Sequence, residues 1–121
     1  MTAAPATIAV TRGAPLRGTI ALPGDKSITQ RALFCAALAE GDSRIAGALD
    51  AADTRATAAA LAALGAELDW SGDAVRVHGT GGRWRAPRAP LDLGNSATGL
   101  RLLAGAIAGR GIAARLTGDA S

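Results

Sequence analysis

Apolar residues recur along the chain at two different spacings, and the first of them predicts extended structure near the N-terminus. Residues 17–22 place Ile20 and Leu22 on one face, as the two-residue repeat of a strand requires. Residues 7–10 form a shorter extended run, and the sequence Pro-Gly-Asp at 23–25 ends the second strand. We therefore expect two strands before the first helix.

Helical spacing predicts a first helix over residues 27–39. Ser27 and Gln30 match a capping box, and Gly41 is placed to end the helix in the left-handed conformation. One side of this helix would face the core and would include Cys35 as a small packing residue rather than a nucleophile. The residues on that side are Ile28, Ala32, Cys35 and Ala39.

Two further helices follow the same logic. The second is capped by Asp53 and runs through Leu64 to a stop at Gly65. The third begins near Asn95 and ends near Gly109. Its core-facing residues are Leu100, Leu103, Ala104 and Ile107.

Short strands separate the helices. A strand is predicted at 44–48, and a hairpin joins 68–70 to 75–77 through Ser-Gly-Asp at 71–73. Residues 79–90 form a loop, and 112–116 a last strand. This order of strands and helices indicates an α/β or α+β fold.

Composition and charge narrow the class of protein. At 121 residues the chain is one modest domain at most, and its alanine-rich core is thin for an independent unit. Its 13 basic and 10 acidic residues give a net charge of +3, which suits small anionic substrates. No nucleic-acid-binding module, membrane-spanning run or signal sequence is present, and the lone Cys35 fits the cytoplasm.

The first candidate for chemistry is the run LPGDKSITQR at residues 22–31. A helix N-terminus attracts phosphate or carboxylate through its unpaired N–H groups. Lys26, which is the only lysine of the chain, Ser27 and Arg31 would add three donors in front of that helix end. A capped helix with two exposed cations explains the same residues, and the spacing of a Walker A loop is absent.

The second candidate is the run LGNSATGLR at residues 93–101. Asn95 would cap the helix, small side chains would let a ligand approach the backbone, and Arg101 would add positive charge. An ordinary Asn-capped helix is the alternative. Two such helix starts in one short chain favour a shared anionic site.

These two runs resemble the first two motifs of the 3-phosphoshikimate 1-carboxyvinyltransferase (EPSP synthase) family. Residues 116–119 (LTGD) resemble the start of its third motif, and the helix headed by 53–55 (DTR) that ends in 64–65 (LG) matches a further stretch. The motifs stand in the order and spacing of the family and cover nearly the whole chain.

The resemblance implies transfer of the enolpyruvyl group of phosphoenolpyruvate to the 5-hydroxyl of shikimate 3-phosphate, with no metal and no organic cofactor. It assigns shikimate 3-phosphate to Lys26, Ser27 and Arg31, and phosphoenolpyruvate to Lys26, Asn95, Ala97 and Arg101. Lys26 would contact both substrates and act in catalysis by stabilising charge in the tetrahedral intermediate. Asp25 and Asp53 are interpreted as turn and cap residues.

The resemblance also implies an architecture. The chain would be the N-terminal part of a domain built from β-α-β-α-β-β units arranged as a partial "inside-out" α/β barrel. Residues 1–21 would be strands that pair with the second domain, and 22–121 would hold the first unit and the start of the next. The acid–base carboxylates of the family lie in that second domain. The chain is therefore expected to be inactive without the remainder of the enzyme, in cis or in trans.

Ala97 departs from the family pattern, in which this position is commonly glycine. Its methyl group would intrude on glyphosate, so the chain resembles the glyphosate-tolerant class of the family. Three alternatives stay open: a UDP-N-acetylglucosamine enolpyruvyl transferase, which usually has asparagine where this chain has Ser27; a non-catalytic fragment or half of a split enzyme; and a phosphate-binding module of other ancestry.

Overall fold

The computed structural model describes residues 7–72 and 74–120 of the chain. Within them lie three helices and five strands. The helices are α1 (Lys26–Leu38), α2 (Ala52–Leu64) and α3 (Ala97–Ala108). The strands are β1 (Glu40–Ala46), β2 (Glu67–Ser71), β3 (Ala74–Thr80), β4 (Leu91–Asp92) and β5 (Leu116–Thr117).

Three strands form an antiparallel sheet in the order β1-β3-β2. Ser43 of β1 and Leu68 of β2 both stand opposite Val77 of the central strand. Because β1 and β2 each run antiparallel to β3, they are parallel to one another, and α2 makes the connection between them. Val75 and Val77 are buried on one face, while charged side chains occupy the other. This alternation is typical of a sheet with a single covered face.

Helices α1 and α2 cover the apolar face of the sheet, and α3 packs beside α2. Leu and Val side chains with no exposed surface make up the centre of this layer. They are Leu33, Leu61, Leu64, Leu93, Leu103 and Val75. The core is therefore a two-layer sandwich of helices on one sheet.

A second, two-stranded sheet lies next to α2. Leu91 of β4 pairs in parallel with Leu116 of β5, and α3 is the crossover between the two strands. Parallel strands require such a connection. Because β4 ends at Asp92, shortly before α3 begins at Ala97, its pairing with β5 holds the start of α3 in place.

Gly79 brings α1 and β3 into direct backbone contact. A Cβ at this position would lie 2.2 Å from the Ala39 carbonyl oxygen and 2.3 Å from that of Ala36. Only glycine fits, since any side chain would push the end of α1 away from the sheet.

The predicted fold class is confirmed as a mixed α/β arrangement, but the two N-terminal strands at 7–10 and 17–22 do not form. A strand needs neighbouring backbone to satisfy its N–H and C=O groups, and residues 7–22 form no ladder within the described residues. Their large apolar side chains, Ile8, Val10, Leu16, Ile20 and Leu22, are at least 79% exposed. The part of the 1–21 prediction that concerns residues 1–6 lies outside the described residues.

The predicted buried face of α1 is also wrong. Ile28 is 70% exposed and Cys35 is exposed, whereas Leu33 and Phe34 are buried. The stripe formed by Gln30, Leu33, Phe34 and Ala37 contains the larger apolar side chains, so turning it inward removes more apolar surface from water. The helix ends in extended backbone at Ala39, and Gly41 belongs to β1 with a φ of 83°.

The remaining elements agree with the prediction in kind and differ in extent. The second helix stops at Gly65, whose φ is 120°, but its N-cap is Ala51 rather than Asp53. The hairpin pairs Ser71 with Ala74, and Asp73 of its turn lies outside the described residues. Strand β1 covers Glu40–Ala46 instead of 44–48, and the last strand, predicted at 112–116, lies at Leu116–Thr117. The loop predicted at 79–90 begins only after β3 ends at Thr80.

Candidate functional site

The start of α1 is capped by Asp25 and not by Ser27. A carboxylate oxygen of Asp25 accepts the N–H of Ile28 at 2.7 Å, and Ser27 is the second residue of the helix. Gly24 packs against the loop after β1, because a Cβ there would lie 2.2 Å from the Gly47 carbonyl oxygen. The turn before Lys26 is therefore held by the Asp25 cap on the helix side and by the close packing of Gly24 on the other.

Lys26, the first residue of α1, forms an ion pair with Asp53. Its Nζ lies 2.8 Å from Oδ2 of Asp53, in the first turn of α2. The Lys26 side chain is 53% exposed and that of Asp53 is 23% exposed. The ammonium group therefore has a fixed partner on a second helix and still faces solvent.

Arg31 lies one turn after Ser27 on the exposed side of α1. Its guanidinium donates to the Ser27 carbonyl oxygen at 3.1 Å. This contact directs the guanidinium back toward the helix start, where Lys26 also lies. The structure thus brings the three predicted shikimate 3-phosphate residues together at one helix end.

The start of α3 is capped by Ser96 rather than by Asn95. The Ser96 hydroxyl accepts the N–H of Gly99 at 3.2 Å and is 2% exposed. Asn95, Ala97 and Arg101 are all exposed around this first turn. Three of the four residues assigned to phosphoenolpyruvate therefore share the outer surface of one helix start, and the fourth, Lys26, is the first residue of α1.

A buried polar network joins the two helix starts. The side-chain amide of Gln30, which has no exposed surface, donates to the Ser96 hydroxyl at 2.6 Å and to that of Thr57 at 3.1 Å. The Thr57 hydroxyl donates in turn to the Asp53 carbonyl oxygen at 3.0 Å. Through these contacts the residue that holds Lys26 and the residue that caps α3 belong to one network spanning three helices.

Gly99 closes the network at its centre. A Cβ there would lie 2.6 Å from Oγ1 of Thr57 and 2.7 Å from Oγ of Ser96. A side chain at this position would displace the Thr57 and Ser96 hydroxyls, so the network requires glycine here.

The electrostatics of this region favour anions. Two helix N-termini carry partial positive charge, and Lys26, Arg31 and Arg101 add three positive charges there, against the two carboxylates of Asp25 and Asp53. Backbone N–H groups, guanidinium groups and an ammonium group are the usual ligands of phosphate and carboxylate. No group of three His, Cys, Asp or Glu residues that could hold a metal ion occurs in the described part of the chain.

Two residues of this region were missed by the sequence analysis. Asp53 was interpreted as a helix cap, yet its carboxylate pairs with Lys26. Gln30 was interpreted as half of a capping box, yet it points into the core. An acid at a helix start could have been considered as a partner for the single lysine, whereas the Gln30–Ser96 contact spans 66 positions and leaves no local signal.

The groups with shifted pKa values lie at the start of α2 and on the outer face of the sheet. A hydrogen bond from Arg55 lowers the pKa of Asp50, and a hydrogen bond to Asp42 raises the pKa of His78 on the outer face of the sheet. A hollow of about 520 Å³ lies on that same face, and none of the six candidate residues lines it.

Among the described residues, no helix is long and apolar enough to cross a membrane.

Comparison with known proteins identifies the relatives of the chain. Residues 10–121 match the family described as EPSP synthase (3-phosphoshikimate 1-carboxyvinyltransferase). A 3-phosphoshikimate 1-carboxyvinyltransferase of Afipia carboxidovorans is 56% identical over 109 residues, which are 88% of this chain and 25% of that protein. One from a Bradyrhizobium species is 50% identical over 121 residues, covering 98% of this chain and 27% of the relative.

A solved structure shares the fold. EPSP synthase from Acinetobacter baumannii superposes with a TM-score of 0.76 at 35% identity, over 86% of this chain and 24% of that structure. The chain therefore spans about a quarter of the length of the relatives it matches.

Proposed function

Because the chain belongs to the EPSP synthase family, we propose that it supplies one wall of the site in which phosphoenolpyruvate reacts with shikimate 3-phosphate. In this reaction the 5-hydroxyl of shikimate 3-phosphate gives up its proton and its oxygen bonds to C2 of phosphoenolpyruvate, while C3 takes up a proton and the C2=C3 double bond is lost. The methyl group of the tetrahedral intermediate then gives up a proton as the C2–O bond to phosphate breaks, which restores the double bond and leaves the enolpyruvyl ether. The observation that carries the proposal is the joining of two anion-attracting helix starts, α1 and α3, through Gln30 and Ser96.

The residues of α1 would hold shikimate 3-phosphate. Ser27 and Arg31 offer a hydroxyl and a guanidinium to this anionic substrate, and the Lys26 ammonium lies 2.8 Å from Asp53 in the first turn of α2. An ammonium group there stabilises negative charge that develops in the tetrahedral intermediate. Lys26 is accordingly proposed as the catalytic residue of this segment.

The residues of α3 would border phosphoenolpyruvate. Asn95 and Ala97 stand at the exposed helix start, where small side chains leave the backbone N–H groups accessible, and Arg101 supports the same wall. No cofactor or metal takes part in the proposed chemistry. The partners of the chain are the two anionic substrates and the remainder of the enzyme.

The chain alone is proposed to be inactive. The family places its acid–base carboxylates in another part of the enzyme, and the candidate residues here lie on an open surface. A functional site would need the rest of the protein, in cis or in trans, to cover this surface and exclude water. Residues 1–21 are proposed to pair as strands with that remainder, which suits the exposed apolar side chains of 7–22. The same proposal places the protein in the cytoplasm, where the exposed Cys35 stays reduced.

A chimera tests the proposal directly. This chain replaces the matching quarter of the Afipia carboxidovorans relative, and phosphate release is assayed with both substrates. We expect turnover, and we expect Lys26→Ala to lower kcat about 100-fold or more, as loss of a charge-stabilising group does. A folded chimera without turnover, or one in which Lys26→Ala has no effect, would show that this chain does not build the proposed wall.

We further propose that Ala97 makes the assembled enzyme tolerant of glyphosate. Its side chain stands exposed at the first residue of α3, so an added methyl group reaches into the space in front of the helix. Ala97→Gly in the chimera should lower the inhibition constant for glyphosate at least about tenfold, the effect of roughly 1.4 kcal/mol. The KM for phosphoenolpyruvate is the control and should change far less. Equal inhibition of both forms would rule the idea out.

A further inference from the structure

Gln30 is a wholly buried polar residue in the core-facing stripe of α1. Buried amides are retained where their hydrogen bonds specify an arrangement that apolar residues would not. Its amide nitrogen has two close acceptors, the hydroxyls of Ser96 at 2.6 Å and Thr57 at 3.1 Å. Its Oε1 has no hydrogen-bond partner within the described chain.

The contact with Ser96 acts on the geometry of α3. The Ser96 hydroxyl receives the N–H of Gly99 and the amide of Gln30 at the same time. A hydroxyl held from both sides cannot shift without breaking one of the two hydrogen bonds. The lateral position of the α3 start is therefore determined by a side chain of α1.

We infer that Gln30 is a positioning residue that fixes the start of α3, and with it the phosphoenolpyruvate side of the site, against the shikimate 3-phosphate side on α1. This inference rests on the proposed function, which assigns one substrate to α1 and the other to α3. The hydrogen-bonded clamp formed by Gln30, Ser96 and Thr57 can be tested separately from that assignment.

Loss of the Gln30 hydrogen bonds should change the KM for phosphoenolpyruvate but not the KM for shikimate 3-phosphate. Gln30→Met keeps the length of the side chain and removes its donors, so α1 and its substrate residues stay in place while the start of α3 loosens. In the chimera we expect KM for phosphoenolpyruvate to rise and kcat to fall, each about tenfold, since misplacement of about 1 Å can cost a hundredfold. The KM for shikimate 3-phosphate should stay within about twofold, because its proposed residues lie on α1.

Thr80→Val is the matched control. The Thr80 hydroxyl donates to the Ala37 carbonyl oxygen at 3.2 Å, at the other end of α1 and away from Ser96. This variant removes one hydrogen bond to the same helix and should leave both KM values unchanged. A uniform fall of activity with both KM values unchanged in Gln30→Met would mean that Gln30 serves stability alone, and the inference would be overturned.

Ser96→Gly approaches the clamp from its other end and guards against a Gln30 variant that fails to fold. Glycine is tolerated at an N-cap at a cost of only a few tenths of a kcal/mol, so the acceptor is removed while the helix persists. We expect the same selective rise in KM for phosphoenolpyruvate. The double variant should raise this KM no further, because the rise is attributed to the Gln30–Ser96 contact that both changes break.

Nuclear magnetic resonance of the 121-residue chain separates failure of the clamp from failure of the proposed function. Gln30→Met should shift the amide signals of Ala97 and Gly99, whereas Thr80→Val should leave them in place. Unmoved signals overturn the clamp whatever the chimera does. A chimera without turnover overturns the proposed function, while shifted signals would still establish the clamp.

Discussion

At the scale of single residues, Asp53 holds the charged ammonium group of Lys26 in a defined position. Lys26 lies 2.8 Å from a carboxylate on another helix, and that carboxylate belongs to a residue whose backbone carbonyl accepts the Thr57 hydroxyl. Asp53 is thereby fixed at both ends, by its side chain and by its backbone. A flexible lysine side chain loses much of its freedom when it pairs with such a partner.

Asp53→Asn should lower kcat of the chimera about tenfold, because the Lys26 ammonium loses the charged partner that holds it. The free energy of unfolding should change by no more than about 1 kcal/mol, the usual range for an exposed ion pair. Steady-state kinetics and urea unfolding measure the two effects. Asp50→Asn is the control, since Asp50 pairs with Arg55 at 2.6 Å and not with Lys26. A lower KM for phosphoenolpyruvate in Asp53→Asn would show instead that the carboxylate competes with substrate.

At the level of elements, the outer face of the sheet carries an ordered ladder of charges. His78 of β3 stands opposite Asp42 of β1 and Glu67 of β2, and its Nδ1 lies 2.7 Å from the Asp42 carboxylate. Cross-strand pairs of opposite charge stabilise a sheet. The pairing raises the pKa of His78 above its ordinary value of 6.5, chiefly through the hydrogen bond to Asp42.

This pair makes the stability of the sheet depend on pH. Because the pKa of His78 is higher in the folded chain than in the unfolded chain, its contribution is complete below pH 6.5 and is lost as the pH rises through the folded value. The urea concentration at the unfolding midpoint should therefore decrease as the pH is raised from 5.5 to 8.5. In His78→Gln the midpoint should decrease less over the same pH interval. Parallel pH profiles of the two proteins would contradict the assignment.

On the scale of the whole molecule, the helix–sheet sandwich contains the hydrophobic core, and residues 7–22 lie outside it. The sandwich buries leucines on every helix, whereas the large apolar side chains of 7–22 remain at least 79% exposed. Hydrophobic stabilisation is proportional to the apolar area removed from water. The N-terminal segment accordingly contributes little to the stability of this chain.

Removal of residues 1–21 should shift the free energy of unfolding by less than about 0.5 kcal/mol, as for changes away from packed features. Leu61→Ala is the comparison, since Leu61 has no exposed surface and its truncation should cost about 2–5 kcal/mol. Thermal unfolding followed by circular dichroism measures both. A loss on deletion as large as that of Leu61→Ala would mean that the segment packs against the sandwich.

Local signals predicted much of this fold, and contacts distant in sequence account for what was missed. Gly65 and the turn at Gly72 were found because a helix stop and a tight hairpin are encoded within a few residues. The strand predicted at 17–22 does not form within the described residues, because a strand depends on a partner that the local pattern does not contain; its pairing with the remainder of the enzyme stays a prediction. The six site residues were selected from their motifs, but the Gln30–Ser96 contact depends on the packing of α1 beside α3.

The two tryptophans give the molecule built-in optical reporters. The Arg55 guanidinium lies 4.1 Å from the ring centroid of Trp70, so its emission senses the docking of α2 onto β2. Trp84 is 9% exposed and lies near the end of α1, so its fluorescence should appear at shorter wavelength and report on the interior. Residues 7–22 contain no aromatic side chain. Fluorescence-monitored refolding will therefore follow the assembly of the sandwich without interference from the N-terminal segment.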